Sequence, residues 1–295
     1  MLKIILLFVA AFFGCQVIAT PEDARHGNLN LYFIYSRDNP REPIQIQPDF
    51  NSVIESPALF RPYTAIIVHG HQGSAFTSLN PVVKDSFISS EDVTVIVVDW
   101  STYAGQSYSN AVNAVPSVGV AIADMIRLLV TYNRISLDRL HLVGFDLGAH
   151  VVGFTGRSLN GQVARITGLD PNGSQWGSNS QRLTASDAEY VELIHTDGNG
   201  LTANGIGTAL GDVDFFANGG GSQPGCLTHS CSHNRAWELF GASLLHNHLI
   251  GNLCNSSSQL NWNLCRGYSL HMGNNSLIKY GSGIFRVNTG RTFPY

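Results

Sequence analysis

The chain is short of charge. Asp, Glu, Lys and Arg make up 13% of its 295 residues, about half the share of ~25% usual in globular domains. Its polar surface must therefore be built largely from Asn, Ser, Thr and Gly. There is no basic excess either: the formal net charge is −4, which argues against nucleic acid as the main partner. Past the first twenty residues no apolar run reaches the length needed to span a bilayer. No internal repeat is present, and no cysteine or histidine spacing matches a standard zinc pattern. What the chain does have is a hydrophobic content of 44%, enough for a sizeable core in one large α/β domain.

The amino terminus reads as a targeting segment, residues 1–19. Lys3 gives a positive start, Ile4 to Phe13 an apolar run, and Val17-Ile18-Ala19 a small-residue cleavage site. An uncleaved anchor is the alternative. The mature chain, residues 20–295, is expected to be secreted. Cys226, Cys231, Cys254 and Cys265 remain in it and can pair in three ways. Neighbour pairing, Cys226 with Cys231 and Cys254 with Cys265, is the economical choice in an oxidising compartment. His229-x-Cys231-x-His233 as a metal cluster is the competing reading. Asn172, Asn255 and Asn274 each begin an Asn-x-Ser pattern that marks a glycosylation acceptor in a secreted chain.

Along the chain, Leu31–Tyr35, Ala65–Val68 and Val93–Val98 read as strands. The last two are continuous apolar runs of the kind buried on both faces of a parallel sheet. Val115, Val118, Ile122, Met125, Ile126 and Leu129 repeat at three and four, the buried stripe of a helix, with Pro116 expected in its first turn. Val163–Leu169 and Tyr190–His195 are further strands. Gly198–Gly225 reads as a long surface excursion, Trp237–Leu245 as a helix, and Asn255–Asn263 as a polar loop. Alternating strands and helices predict a single-domain α/β fold with a doubly wound, mostly parallel sheet.

The chemistry centres on Leu140-His141-Leu142-Val143-Gly144-Phe145-Asp146-Leu147-Gly148-Ala149-His150. An apolar strand passes through Gly-x-Asp-x-Gly straight into a helix-like run. That is the layout of a nucleophile elbow, Gly-x-Ser-x-Gly, with Asp146 at the serine position. In serine hydrolases of this layout the nucleophile is followed by an acid and then a histidine. Asp170 stands directly after a strand, 24 residues beyond Asp146, and His233 follows the long excursion. Taken singly, Asp170 could merely start a turn and His233 merely cap a helix. In this order behind an elbow they read as a triad.

These motifs resemble those of the animal pancreatic-type lipase family, which includes secreted phospholipases A1. The likeness runs from about Leu31 to the end. It includes Ile66-Ile67-Val68-His69-Gly70, Val98-Asp99-Trp100, the elbow, Gly168-Leu169-Asp170-Pro171, Asp214-Phe215-Phe216-Ala217-Asn218-Gly219-Gly220 and Cys231-Ser232-His233-Asn234-Arg235. The resemblance implies an α/β-hydrolase fold and cleavage of carboxylic esters of lipids, without a cofactor. By position, Asp170 is the triad acid and His233 the base. The N–H groups of His71 and Leu147 form the oxyanion hole, and Cys226–Cys231 closes a lid. The lid is very short, Leu227 to Ser230, and the C-terminal β-sandwich of the larger members is absent. A calcium site of some members maps near Arg182, Thr184 and Asp187, where one position lacks its carboxylate; no metal is expected.

Asp146 changes the chemistry. Serine catalysis moves a proton from the hydroxyl to histidine as the new bond forms. A carboxylate has no such proton, and attack on an ester would give an anhydride. Two carboxylates also hold an imidazole in its charged form, unfit as a base. Three functions stay open: a lipase-like protein without catalysis that binds lipid or a partner, a hydrolase with an Asp nucleophile acting on epoxides or halides, and an active lipase or phospholipase A1 in which Asp146 is a variant or engineered change.

Overall fold

In the computed structural model, described for residues 27–295 apart from 59 and 78, the continuous apolar runs become strands because both their faces are covered. In chain order these are β1 (Leu31–Tyr35), β2 (Ile44–Ile46), β3 (Tyr63–Val68), β4 (Val93–Asp99), β5 (Leu140–Phe145) and β6 (Arg165–Leu169). They continue with β7 (Val191–His195), β8 (Val213–Ala217), β9 (Ile250–Cys254), β10 (Ser269–His271) and β11 (Gly283–Val287). All belong to one sheet, ordered β10-β9-β11-β8-β7-β6-β5-β3-β4-β1-β2. The inner strands from β4 to β11 pair in parallel, and antiparallel pairs finish both edges. The expected targeting segment, 1–19, lies outside the described residues.

Four long helices cover the two faces: α1 (Leu79–Ser90), α2 (Tyr108–Thr131), α3 (Leu147–Ser158) and α4 (His229–His246). The stripe Val115, Val118, Ile122, Met125, Ile126 and Leu129 of α2 is wholly buried, and with α3 it forms one core against Ile66, Val68 and Leu142. Phe87 of α1 and Leu239 and Phe240 of α4 form the other core against Ile67, Val97 and Phe215. This is the doubly wound α/β-hydrolase layout in a single domain.

Several expectations need correction. Pro116 lies well inside α2, not in its first turn, because the helix already starts where the Ser107 side chain caps Asn110 N. Gly198–Gly225 is not all surface: it contains β8, buried along its whole length. Its signal was hidden by Asp214, a buried carboxylate that accepts from His195 Nε2 at 2.8 Å and Leu210 N at 2.9 Å. The helix expected from Trp237 starts at His229, where the Thr228 side chain caps Cys231 N. Asn255–Asn263 holds a short helix, Ser257–Asn261. By length and composition α2 is apolar enough to cross a membrane, contrary to the sequence reading, but its apolar stripe is core. Both neighbour disulfides form, Cys226–Cys231 and Cys254–Cys265. Near Arg182 and Thr184, Arg157 places a side-chain cation on both Asp187 oxygens at 3.0 Å and on the carbonyls of Gln181 and Arg182.

The elbow is a tightly packed point of the fold. Strand β5 ends at Phe145, α3 begins at Leu147, and Asp146 between them takes φ 57° and ψ −121°. A Cβ on Gly148 would lie 2.3 Å from the carbonyl oxygen of Val68. Gly148→Ala must push α3 off β3, and we expect it to cost about 3 kcal/mol. A thermal melt checks this; an unchanged Tm would show that the helix can shift freely.

Candidate active site

Strand register brings the two carboxylates together. Phe145 of β5 pairs with Leu169 of β6, so the next residues, Asp146 and Asp170, emerge side by side at the carboxyl edge of the sheet. Asp146 N donates to Leu169 O at 3.1 Å and Asp170 N to Ile194 O at 2.8 Å. His233, in the first turns of α4, reaches both. Its Nδ1 lies 2.5 Å from Asp170 Oδ2 and its Nε2 3.2 Å from Asp146 Oδ1. Asp170 is fixed from behind, its Oδ1 accepting from Thr196 N at 2.7 Å and Asp197 N at 3.0 Å. The three residues proposed from sequence order thus form one buried chain of contacts.

Asp146 also uses the donors assigned to the oxyanion hole. His71 N donates to Asp146 Oδ2 at 2.8 Å, and the Leu147 N–H lies on the neighbouring residue, where it favours the charged carboxylate. The approach is close enough that a Cβ on Gly70 would lie 2.5 Å from Asp146 Oδ2. The turn bearing His71 is held by His69, which stacks on Trp100 and takes the Trp100 indole N–H on its carbonyl at 2.8 Å. Burial opposes charge on both partners. For His233 it is outweighed by the hydrogen bonds to Asp146 and Asp170 and by their charges, which hold its pKa up at about 10. For Asp146 it is outweighed by His233, then by Asn172 and the Leu147 N–H, which hold the carboxyl down at about 2. At neutral pH the pair is carboxylate and imidazolium.

A family model described as Lipase matches residues 13–278. Lipase member H-A of Xenopus laevis is 36% identical over 241 residues, 76% of this chain and 50% of that protein. The chain belongs to the lipase family. Pancreatic lipase-related protein 2 of Homo sapiens is 34% identical over 247 residues, 80% of this chain and 53% of that protein. Phospholipase A1 member A of Bos taurus is 37% identical over 193 residues, 61% of this chain and 41% of that protein. The lipase-family chain spans about half the length of these curated relatives.

Two residues of this lipase site were not foreseen as functional. Asn172 was read as a glycosylation acceptor, yet it is buried and its Nδ2 donates to Asp146 Oδ1 at 2.5 Å. That nitrogen faces the triad and not solvent, so a glycan does not fit there. Tyr108, at the start of α2, donates to Asn172 Oδ1 at 2.6 Å and to Ser174 O at 2.5 Å. Nothing in the sequence marked it. The cavity above the triad is about 410 Å³, and beyond the triad its walls are mainly polar, including Gln72, Asn204, Ser230 and Asn234. At its rim the short lid is tied down, His229 Nδ1 lying 2.6 Å from Asp197 Oδ1. Cys231 is spent in its disulfide, so His229, Cys231 and His233 form no metal cluster.

The ion pair gives stability a defined pH window. The folded pKa of His233, about 10, lies above its ordinary 6.5, so its contribution is complete below the ordinary value and is lost as pH rises through about 10. The folded pKa of Asp146, about 2, lies below its ordinary 3.8, so its contribution is complete above the ordinary value and is lost as pH falls through about 2. Denaturation midpoints measured across pH should be highest between these limits, and Asp146→Asn should flatten the alkaline limb. An alkaline limb identical in the two proteins would contradict the pairing.

Proposed function

We propose that this chain is a secreted lipase-family protein that binds a lipid or lipid ester in its cleft without hydrolysing it. The observation that supports this most directly is the seat of the Asp146 carboxylate on the His71 N–H group. An ester carbonyl needs the oxyanion-hole donors as it becomes an oxyanion, and here a permanent anion holds the His71 N–H. The neighbouring imidazolium has no lone pair with which to act as a base. Both features oppose ester attack, while Asp170, His233 and the cavity above them persist. Secretion is supported by the leader-like segment at 1–19 and the two disulfides.

A second reading has one observation in its favour. A carboxylate with one oxygen in an oxyanion hole is also the arrangement of an Asp nucleophile, which opens an epoxide to an enzyme ester that water then cleaves. Against it, the other oxygen is held by Asn172 and His233, and His233 in its charged form cannot activate the water.

The test exposes wild type and Asp146→Ser, in parallel, to a fatty-acyl ester and to a simple epoxide, with mass spectrometry of the intact protein. Wild type is expected to show neither turnover nor adduct. Asp146→Ser is expected to gain esterase activity of about 10³-fold or more, the size of a triad nucleophile's contribution. Ester turnover by wild type at the rate of the serine variant would overturn the proposal. An adduct on Asp146 with epoxide turnover would replace it with the second reading.

A further inference from the structure

The carboxylate of Asp146 is not held by the oxyanion-hole donors alone. Asn172 Nδ2 donates to Asp146 Oδ1 at 2.5 Å, on the same oxygen that faces His233. The amide cannot turn over at no cost. Its Oδ1 accepts from Ser174 N at 2.9 Å and from Tyr108 Oη at 2.6 Å, whose one proton is shared with Ser174 O, so a flipped amide would set its NH₂ against the Ser174 N–H. The backbone around Asn172 is fixed as well: its N–H donates to Asp146 O at 3.3 Å, and its carbonyl meets His150 Nε2 at 2.9 Å. Tyr108 keeps its proton, since burial pushes its phenol up to about 12.

We infer that Asn172, oriented by Tyr108, is a positioning residue that fixes the Asp146 carboxylate against the His71 N–H group and beside His233. The inference rests on the proposed ion pair and adds a separate claim: the site is furnished to keep a carboxylate at the elbow. Three donors converge on Asp146, namely the His71 N–H, the Asn172 amide and His233. Its two carboxylate oxygens therefore have fixed and different partners. With the amide removed, Oδ1 loses the contact that directs it at His233, and the side chain gains freedom to turn toward the cavity. Among the described residues, the charged groups paired with His233 are Asp146 and Asp170, so any loosening of Asp146 is read directly in the imidazole.

The readout is the titration of the His233 ring by ¹H–¹⁵N NMR, assigned by comparison with His233→Gln. The wild-type midpoint is expected near 10. Asn172→Leu should lower it by about 1 pH unit or more, the size of one lost charge-assisted contact. Tyr108→Phe should lower it less, because Ser174 N still holds the Asn172 oxygen. Asp146→Asn should lower it most. A wild-type midpoint at an ordinary histidine value would defeat the ion pair itself. A raised wild-type midpoint left in place by both Asn172→Leu and Tyr108→Phe would defeat only the positioning role. Tyr108→Phe keeps the buried ring and provides the decisive variant should Asn172→Leu fail to fold.

Discussion

One hydrogen bond, from the His71 N–H to the buried Asp146 carboxylate, governs the carboxyl edge of this sheet. It lies in a low-dielectric space in which an anion that has donors is well stabilised. In this chain the anion belongs to the protein, and its partner charge sits on His233. The site is therefore at rest in a charge distribution that a hydrolytic site reaches only as its intermediate forms.

Holding that arrangement requires much of the surrounding structure. The elbow keeps a non-glycine residue at positive φ, a conformation that costs of order 1–3 kcal/mol and persists only under firm packing. Strand β5 is fixed between β3 and β6, and α3 lies against the Val68 carbonyl with no room for a Cβ at Gly148. The stacked His69 and Trp100 rings secure the His71 turn from the other side. Asp170 is tied to the turn that also carries Asp197, and Asp197 holds the lid through His229. The lid and the triad acid thus share one short segment of backbone.

The retained frame and the altered centre are what the proposed binding role rests on. A hydrolase site frozen with its own carboxylate in the anion pocket offers a ligand the walls of the cavity and not the reactive centre. Beyond Asp146 and His233, those walls carry mainly amides and hydroxyls and, among the described residues, no Lys or Arg. The preference of the cleft will follow the shape and hydrogen-bonding groups of what enters it.

The sequence by itself determined the fold class, the elbow and the order Asp146, Asp170, His233, and it favoured the two disulfides that the structure forms. These are local or periodic signals: β-branched runs, a stripe at three and four, a Gly-x-Asp-x-Gly turn, and cysteines few residues apart. It hid β8, because a strand whose buried Asp214 is paired with His195 breaks the apolar pattern. It also misplaced Pro116 and the start of α4, since helix starts depend on the caps Ser107 and Thr228, which are common residues. Only the tertiary structure decided that Asp146 lies in the anion pocket, that Asn172 faces inward, and that Tyr108 holds it. Those contacts join residues from 26 to 75 positions apart. Their direction is set by strand register and amide orientation, which no local pattern in the chain records.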